Sequence, residues 1–312
     1  VKSSKILLHA FLFLATFFTL TVAGVQWLNR DPFDLRNFLF GLPYSLSILF
    51  ILGCHEFGHY FAARYHNVDA TLPYFIPFPN LPSVVNFGTL GAVIRTKSPI
   101  PSRKVMFDIG VAGPIAGFIA TLVILTYGFI ALPGKEFILS IHPDYFTQAH
   151  PPSGIDLSFG NSLLYNFLSI VITDPTNQFV PPMTEMYHYP FLCAGWFGIF
   201  VTAMNLLPVG QLDGGHLAYT MFGTHHKAIA RISFVLLLII GLMGLLPMLN
   251  IPVSFGWAGW LFWAIILFFL VKLDHPPVID ESPLDSRRRR IGWMTFGILV
   301  LSFVPTPFTI PF

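Results

Sequence analysis

The chain has 312 residues, of which 54% are hydrophobic and only 10% charged, with a formal net charge of +2. Soluble domains carry roughly 25% charged residues, so this composition excludes an ordinary soluble globular class and indicates an integral membrane protein. The near-neutral balance gives no case for nucleic acid as a partner, and the two cysteines, Cys54 and Cys193, both in apolar stretches, make no disulfide framework.

Seven apolar runs follow one another at about 6–28, 43–66, 105–132, 190–222, 228–249, 256–273 and 291–311. A helix of ~20 residues crosses the hydrocarbon core, so the expected fold class is an all-α polytopic membrane protein with six to seven transmembrane helices. The first run follows Lys2 and Lys5 and is longer than the ~7–15 residues of a signal h-region, so it reads as a retained span. With the N-terminus on the cytoplasmic side, fourteen of the 17 Lys and Arg fall in inner segments, leaving Arg30, Arg36 and Lys135 outside. The excess of positive charge on inner flanks makes this the expected orientation, and Arg287 to Arg290 read as a topology anchor. A multi-pass protein of a bacterial inner membrane is expected, with an organelle membrane as the alternative.

Two segments depart from simple spans. Residues 71–101 are apolar, yet prolines at 73, 77, 79, 82, 99 and 101 forbid a continuous helix. Within them "NFGTLGAVIR" has the glycines and β-branched residues of a strand pair. Apolar, non-helical backbone at a membrane must be buried against protein or line a cavity, so a membrane re-entrant hairpin is expected here. Residues 133–189 read as an outer insertion, with "IDLSFGNSLLYNFLSIVI" able to lie flat on the outer surface. The expected organisation is one integral membrane domain over 1–312, with a core at 43–222 and further C-terminal helices at 223–312.

The chemistry concentrates in "HEFGH" at 55–59, inside the second run. On a helix His55 and His59 share a face and can grip one ion, while Glu56, turned ~100° away, can act on a water at that ion. By chance the HExxH pattern is expected about 0.005 times in such a chain. His55 also lies ~18–20 Å from either surface of its span, where an ionisable group costs ~2.5–3.5 kcal/mol and is usually functional and partnered. A catalytic zinc takes three protein ligands and keeps one position open. Positions 62 and 65, where a metzincin has Gly and His, hold Ala62 and Tyr65, and the later glutamates Glu136, Glu185 and Glu281 are in loops or tails. Within a span at similar depth stands Asp213, in "NLLPVGQLDGGH", and it is the expected third ligand. Pro208 and Gly210 should unwind the chain there, and Gly214 and Gly215 should let it pass close to a neighbouring helix. His216 reads as a packing residue, with a ligand or supporting role as the alternative. Asn205 could hold a substrate backbone or a developing oxyanion, or cap freed backbone near Pro208. Gly110, Gly113 and Gly117 suggest close packing of spans. His9, His66, His142, His150, His188, His225, His226 and His275 receive no role.

"HEFGH" together with "NLLPVGQLDGG" resembles the two signature motifs of the site-2 protease family of intramembrane zinc metalloproteases. "NFGTLGAVI" looks like that family's membrane re-entrant β segment, and "FDIGVAGPIAGF" like its glycine-rich third core helix. The likeness covers about 43–222, and there is no room for the PDZ or CBS domains of some members. It implies one zinc per chain, catalytic Glu56, and cleavage of a peptide bond in or near a transmembrane helix of a protein substrate embedded in the bilayer. An exposed strand edge within 86–95, with Asn86, Gly88 and Gly91, could receive the unwound substrate as an added strand. Two other functions are compatible with an intramembrane His/Asp site: a metal transporter, which would need further polar residues leading outward, and a proteolytically inactive membrane-binding relative, which would have no use for Glu56.

Overall fold

The computed structural model describes residues 2–79, 86–147 and 157–309. Residues 80–85 of the proline-rich stretch, with Pro82, the start of the amphipathic piece at Ile155 and Asp156, His150, and residues 310–311 of the last apolar run lie outside them. The chain is mostly helical. Helix α1 (Lys2–Trp27) leads through a 3-10 turn (Leu35–Gly41) into α2 (Leu42–Tyr65), a hairpin of β1 (Tyr74–Pro77) and β2 (Thr89–Val93), and α3 (Arg103–Ile130). There follow α4 (Lys135–Ile141), β3 (Ser158–Phe159), α5 (Leu163–Ile172), a 3-10 turn (Met186–His188), α6 (Pro190–Asn205) and α7 (Asp213–Phe222). The chain continues as α8 (His226–Met243), α9 (Gly259–Ile266) with a π-helical end (Leu267–Val271), α10 (Ser286–Ser302) and β4 (Phe308–Thr309).

Among the described residues four helical stretches are long and apolar enough to cross a membrane: Lys5–Trp27, Leu35–Tyr65, Arg103–Ile130 and Asp213–Leu249. Their boundaries follow from local chemistry. Proline opens α2 and α6, where a missing N–H costs nothing. Ser102 caps α3 by accepting from the Val105 N–H at 3.3 Å, and Asp285 caps α10 by accepting from Arg288 N–H at 3.0 Å. The fourth expected run, 190–222, is two helices, because Pro208 and Gly210 stop the ladder after Asn205.

Helices α2, α3 and α6 pack on one another and form the centre of the molecule, with Tyr44, Leu125, Phe129, Leu192, Trp196 and Ile199 buried among them. Leu7, Phe11 and Leu14 on α1, Ile119 and Val123 on α3 and Leu236 on α8 stay exposed. Apolar faces of this extent are unfavourable in water and suited to lipid.

The β1–β2 hairpin is antiparallel, with Tyr74 opposite Val93 and Phe75 opposite Ala92, and a bulge between Phe75 and Pro77. It sits against α1. The Gly88 carbonyl accepts from Thr19 Oγ1 at 2.6 Å, and at a φ of +79° a Cβ on Gly88 would lie 2.6 Å from the Leu20 Cα, so only glycine fits both the conformation and the space. On the far side of the core, Arg288 donates from Nε and Nη2 to the two oxygens of Asp108 at 2.8 and 2.6 Å, and His66 Nε2 lies 2.9 Å from the same carboxylate. One carboxylate thus joins the ends of α2, α3 and α10, which gives Arg288 a role beyond topology.

Replacing Asp108 with Asn removes the charge from a half-buried, bidentate pair. It should cost about 1–3 kcal/mol, read as a lower thermal midpoint in detergent; an unchanged midpoint would show that the clamp contributes nothing to stability.

Candidate metal centre

Residues four apart on a helix stand one above the other, and α2 presents His55 and His59 in this way toward α3 and α7. Both are buried, at 5% and 7% exposure, as is Glu56 at 5%. Helix α3 can approach α2 closely because it offers glycine at the contact. A Cβ on Gly113 would run into the His59 ring, and one on Gly117 would stand 3.0 Å from His55 Cβ. On the α2 side, a Cβ on Gly58 would stand 2.6 Å from the Ala112 carbonyl oxygen. The expected packing glycines therefore do more than bring two helices together, since two of them form the wall that sets the histidine rings.

The His59 Nδ1 lies 2.8 Å from the Ile109 carbonyl of α3 and can only donate to it. That bond leaves Nε2 as the lone-pair nitrogen, the tautomer a metal ligand requires. His59 Nε2 and His55 Nε2 are 3.1 Å apart. Asp213, the first residue of α7, closes the triangle, with Oδ2 at 3.2 Å from His55 Nε2 and Oδ1 at 3.3 Å from His59 Nε2.

The break between α6 and α7 aims this carboxylate. Gly210, at a φ of +56°, donates its N–H to the Leu273 carbonyl at 3.2 Å. Gly214 and Gly215 do not pass a neighbouring helix, as the sequence suggested. A Cβ on either would collide with carbonyls of the preceding segment, Leu206 for Gly214 and Gly210 for Gly215, because the chain folds back on itself between the two helices. A carboxylate at the first position of a helix is also favoured by the helix dipole.

These donors fit a zinc ion. At bond lengths of ~2.0–2.1 Å a tetrahedral ion holds its ligand atoms ~3.3 Å apart, and the two nitrogens and the carboxylate oxygens already stand at 3.1 to 3.3 Å. Two imidazole nitrogens and a carboxylate converge, and among the described residues no lysine or arginine pairs with Asp213, so a cation serves the group better than a single shared proton.

The cluster opens into a cavity of about 600 Å³ that Glu56 and Asn205 also line. Asn205, the last residue of α6, has its amide nitrogen 3.4 Å from His55 Nε2. Ile94 lines the cavity together with Glu56. Of the expected strand segment, Ala92 to Arg95 line the cavity, followed by Thr96, whereas Asn86, Gly88 and Gly91 do not. Asn86 instead bonds Gln26 on α1 at 3.1 Å, and its side-chain oxygen accepts the Gly88 N–H at 2.8 Å, so these two residues anchor the hairpin.

One wall of the cavity was not expected. Residues 275–279, between α9 and α10, run over the site. His275 Nε2 is 2.6 Å from His216 Nδ1, and its ring stacks on Tyr219 at 4.4 Å. Burial, and next the neighbouring His216, push the His275 pKa down to about 4, which keeps it neutral. The strap is held by Val278 N–H to Tyr219 Oη and by Tyr219 Oη to Glu281, both at 3.0 Å, and by Arg103 N–H to the Asp280 carbonyl at 2.8 Å. His216 lines the cavity and is partnered by His275 rather than grouped with the His–His–Asp cluster.

A helix-borne His-x-x-x-His pair, closed by an aspartate from a broken helix and flanked by a glutamate among apolar helices, is the arrangement of a membrane-embedded metallopeptidase. Residues 43–246 match Peptidase family M50, and the chain belongs to that family. It is 29% identical over 305 residues to the probable zinc metalloprotease EGY2, chloroplastic, of Oryza sativa subsp. indica, covering 95% of this chain and 49% of that protein. Similarity extends to the probable zinc metalloprotease EGY1, chloroplastic, of Arabidopsis thaliana, at 28% over 266 residues, 85% of this chain and 43% of that protein. The probable zinc metallopeptidase EGY3, chloroplastic, of Arabidopsis thaliana is 28% identical over 306 residues, 94% of this chain and 48% of that protein. The chain thus spans about half the length of these curated relatives or less.

Because Gly113 backs the His59 ring, Gly113→Ala should displace it. Overpacking of this kind costs about 1–3 kcal/mol, so zinc affinity should fall roughly 10- to 100-fold in a competition titration with a chelator. Unaltered affinity would mean that the glycine wall does not set the ligand geometry.

Proposed function

We propose that the chain is an intramembrane zinc metalloprotease that hydrolyses a peptide bond within or near the transmembrane segment of membrane-protein substrates. The observation that carries this reading is the convergence of His55 and His59 with Asp213 beside Glu56 in a cavity set among apolar helices. Membership of Peptidase family M50 and similarity to probable zinc metalloproteases support it. In this reading the chain crosses the membrane six or seven times with its N-terminus on the cytoplasmic side and the β1–β2 hairpin re-entrant. Residues 1–312 act as one protease unit. The membrane is a bacterial inner membrane or, as for the relatives named chloroplastic, that of an organelle.

His55, His59 and Asp213 would hold one zinc at this site, where the ion would supply Lewis acidity toward a carbonyl and a water. Glu56 takes the proton of the attacking water and delivers it to the leaving amine. Asn205 donates from its amide to the oxygen on which negative charge develops, a contact typically worth ~2.7–4 kcal/mol of barrier. Amides of a helical substrate are bonded internally, so the scissile segment must unwind first. The backbone of Ala92 to Thr96 along the cavity gives that segment an edge to pair with, in affinity that depends little on side chains.

Purified protein reconstituted with single-span substrates tests the assignment. Glu56→Gln should keep its zinc and lose cleavage by at least 100-fold, whereas Asp213→Ala should lose both. If Glu56→Gln cleaves like the native chain, the proton-transfer role is wrong; if the zinc-loaded native chain cleaves no substrate, the site is one of binding or transport. A second variant addresses the substrate edge: Val93→Pro should depress cleavage with zinc retained, and full cleavage would remove the strand-addition step.

A further inference from the structure

A second group of metal-binding side chains lies at the other end of α6, between the end of α4 and the turn before Pro190. His142 follows directly on α4, Glu185 precedes the 3-10 turn that leads into α6, and His188 is the last residue of that turn. Their donor atoms form a triangle: His142 Nε2 to His188 Nε2 is 3.1 Å, His142 Nε2 to Glu185 Oε2 is 3.5 Å and His188 Nε2 to Glu185 Oε2 is 3.6 Å. That matches the ~3.3 Å spacing of ligand atoms around tetrahedral zinc, as the first site does. The side chains are 10%, 1% and 4% exposed, in the order His142, Glu185, His188. The sixteen residues of α6 rise ~24 Å, so this group is separate from the cavity that holds Asp213.

Two further features point to a cation. His188 Nδ1 donates to the carbonyl of Trp27, the last residue of α1, at 2.5 Å, so Nε2 faces the group with its lone pair. Glu185 Oε2 is buried and has no hydrogen-bond partner among the described residues. A buried carboxylate oxygen left in that state is costly. A single proton between the two imidazoles satisfies one nitrogen pair and leaves the carboxylate unserved. A divalent ion with borderline preference, accepting two imidazoles and one carboxylate, serves all three.

We propose that His142, Glu185 and His188 form a second zinc site, distinct from the His55, His59 and Asp213 centre. The three donors leave one coordination position for water or another small ligand. Through the Trp27 carbonyl the ion fastens the segment between α3 and α6 to the end of α1, so metal availability on this face of the protein sets how firmly that segment is held.

The test counts zinc in the full chain, purified in detergent and equilibrated with a zinc buffer. Native protein should carry two equivalents. The double variant His59→Ala, Asp213→Ala should keep one, and on exchange with Co²⁺ it should show the intense visible bands of tetrahedral coordination. His142→Ala and the more conservative Glu185→Gln should each lose one equivalent relative to native. A native count of one that disappears in His59→Ala, Asp213→Ala overturns the proposal. A native count of one that survives there and disappears in Glu185→Gln supports it and instead removes zinc from the proposed catalytic centre, so the two readings fail separately. Should His142→Ala not fold, the native count and Glu185→Gln decide.

Discussion

The structure depends on bringing one carboxylate, Asp213, to two imidazoles in the middle of apolar helices. Three polar groups at 3.1 to 3.3 Å from one another cannot be scattered through such an interior; each alone would be an unpartnered, desolvated group. Together, around a cation, they neutralise one another. Much of what surrounds them serves that meeting. The helix carrying Asp213 begins where it does because Pro208 and Gly210 end the preceding helix, and glycine on α3 lets α2 come close enough for the rings to reach.

The remaining parts shape access. The β1–β2 hairpin is fastened to α1 through Thr19 and Gln26, and its outgoing backbone runs along the cavity beside Glu56. The strap from His275 to Ile279 covers another side and is fixed by bonds to Tyr219 and to the start of α3. Backbone held by hydrogen bonds at such a place meets the requirement that irregular chain in an apolar setting be satisfied by protein or line a cavity. The outer surface stays apolar along α1, α3 and α8. A low-dielectric surround of this kind strengthens interactions between charged groups inside.

The helices, the broken fourth run and the pairing of His55, His59 and Asp213 could be read from the sequence because each leaves a local signature: apolar length, proline and glycine at a break, and the i, i+4 spacing of two histidines. The place of Asn205 at the cavity could be read for the same reason, since it lies within the motif that holds Asp213. What could not be read depends on contacts between residues distant in sequence. Asn86 and Gly88 look like substrate-strand residues by composition, yet their bonds go to α1, 60 and 69 residues earlier. His275 stands in a short polar stretch with Pro276 and Pro277, which reads as a linker, and only its approach to His216 brings it to the cavity. Gly214 and Gly215 announce a close approach, but the partner is the chain just before them, and no pattern of residue types specifies that. His142 and His188 lie 46 positions apart in an irregular segment, so no spacing rule connects them.

Where zinc binds decides whether His55, His59 and Asp213 form the metal centre. Crystals of the zinc-loaded protein, measured on either side of the zinc absorption edge, locate the ion by anomalous scattering independently of any assay. The prediction is a peak between His55 Nε2, His59 Nε2 and the Asp213 carboxylate, at ~2.0–2.1 Å from each nitrogen. A zinc-replete crystal with no peak at that position, its zinc bound elsewhere, would contradict the assignment of these residues as the metal centre.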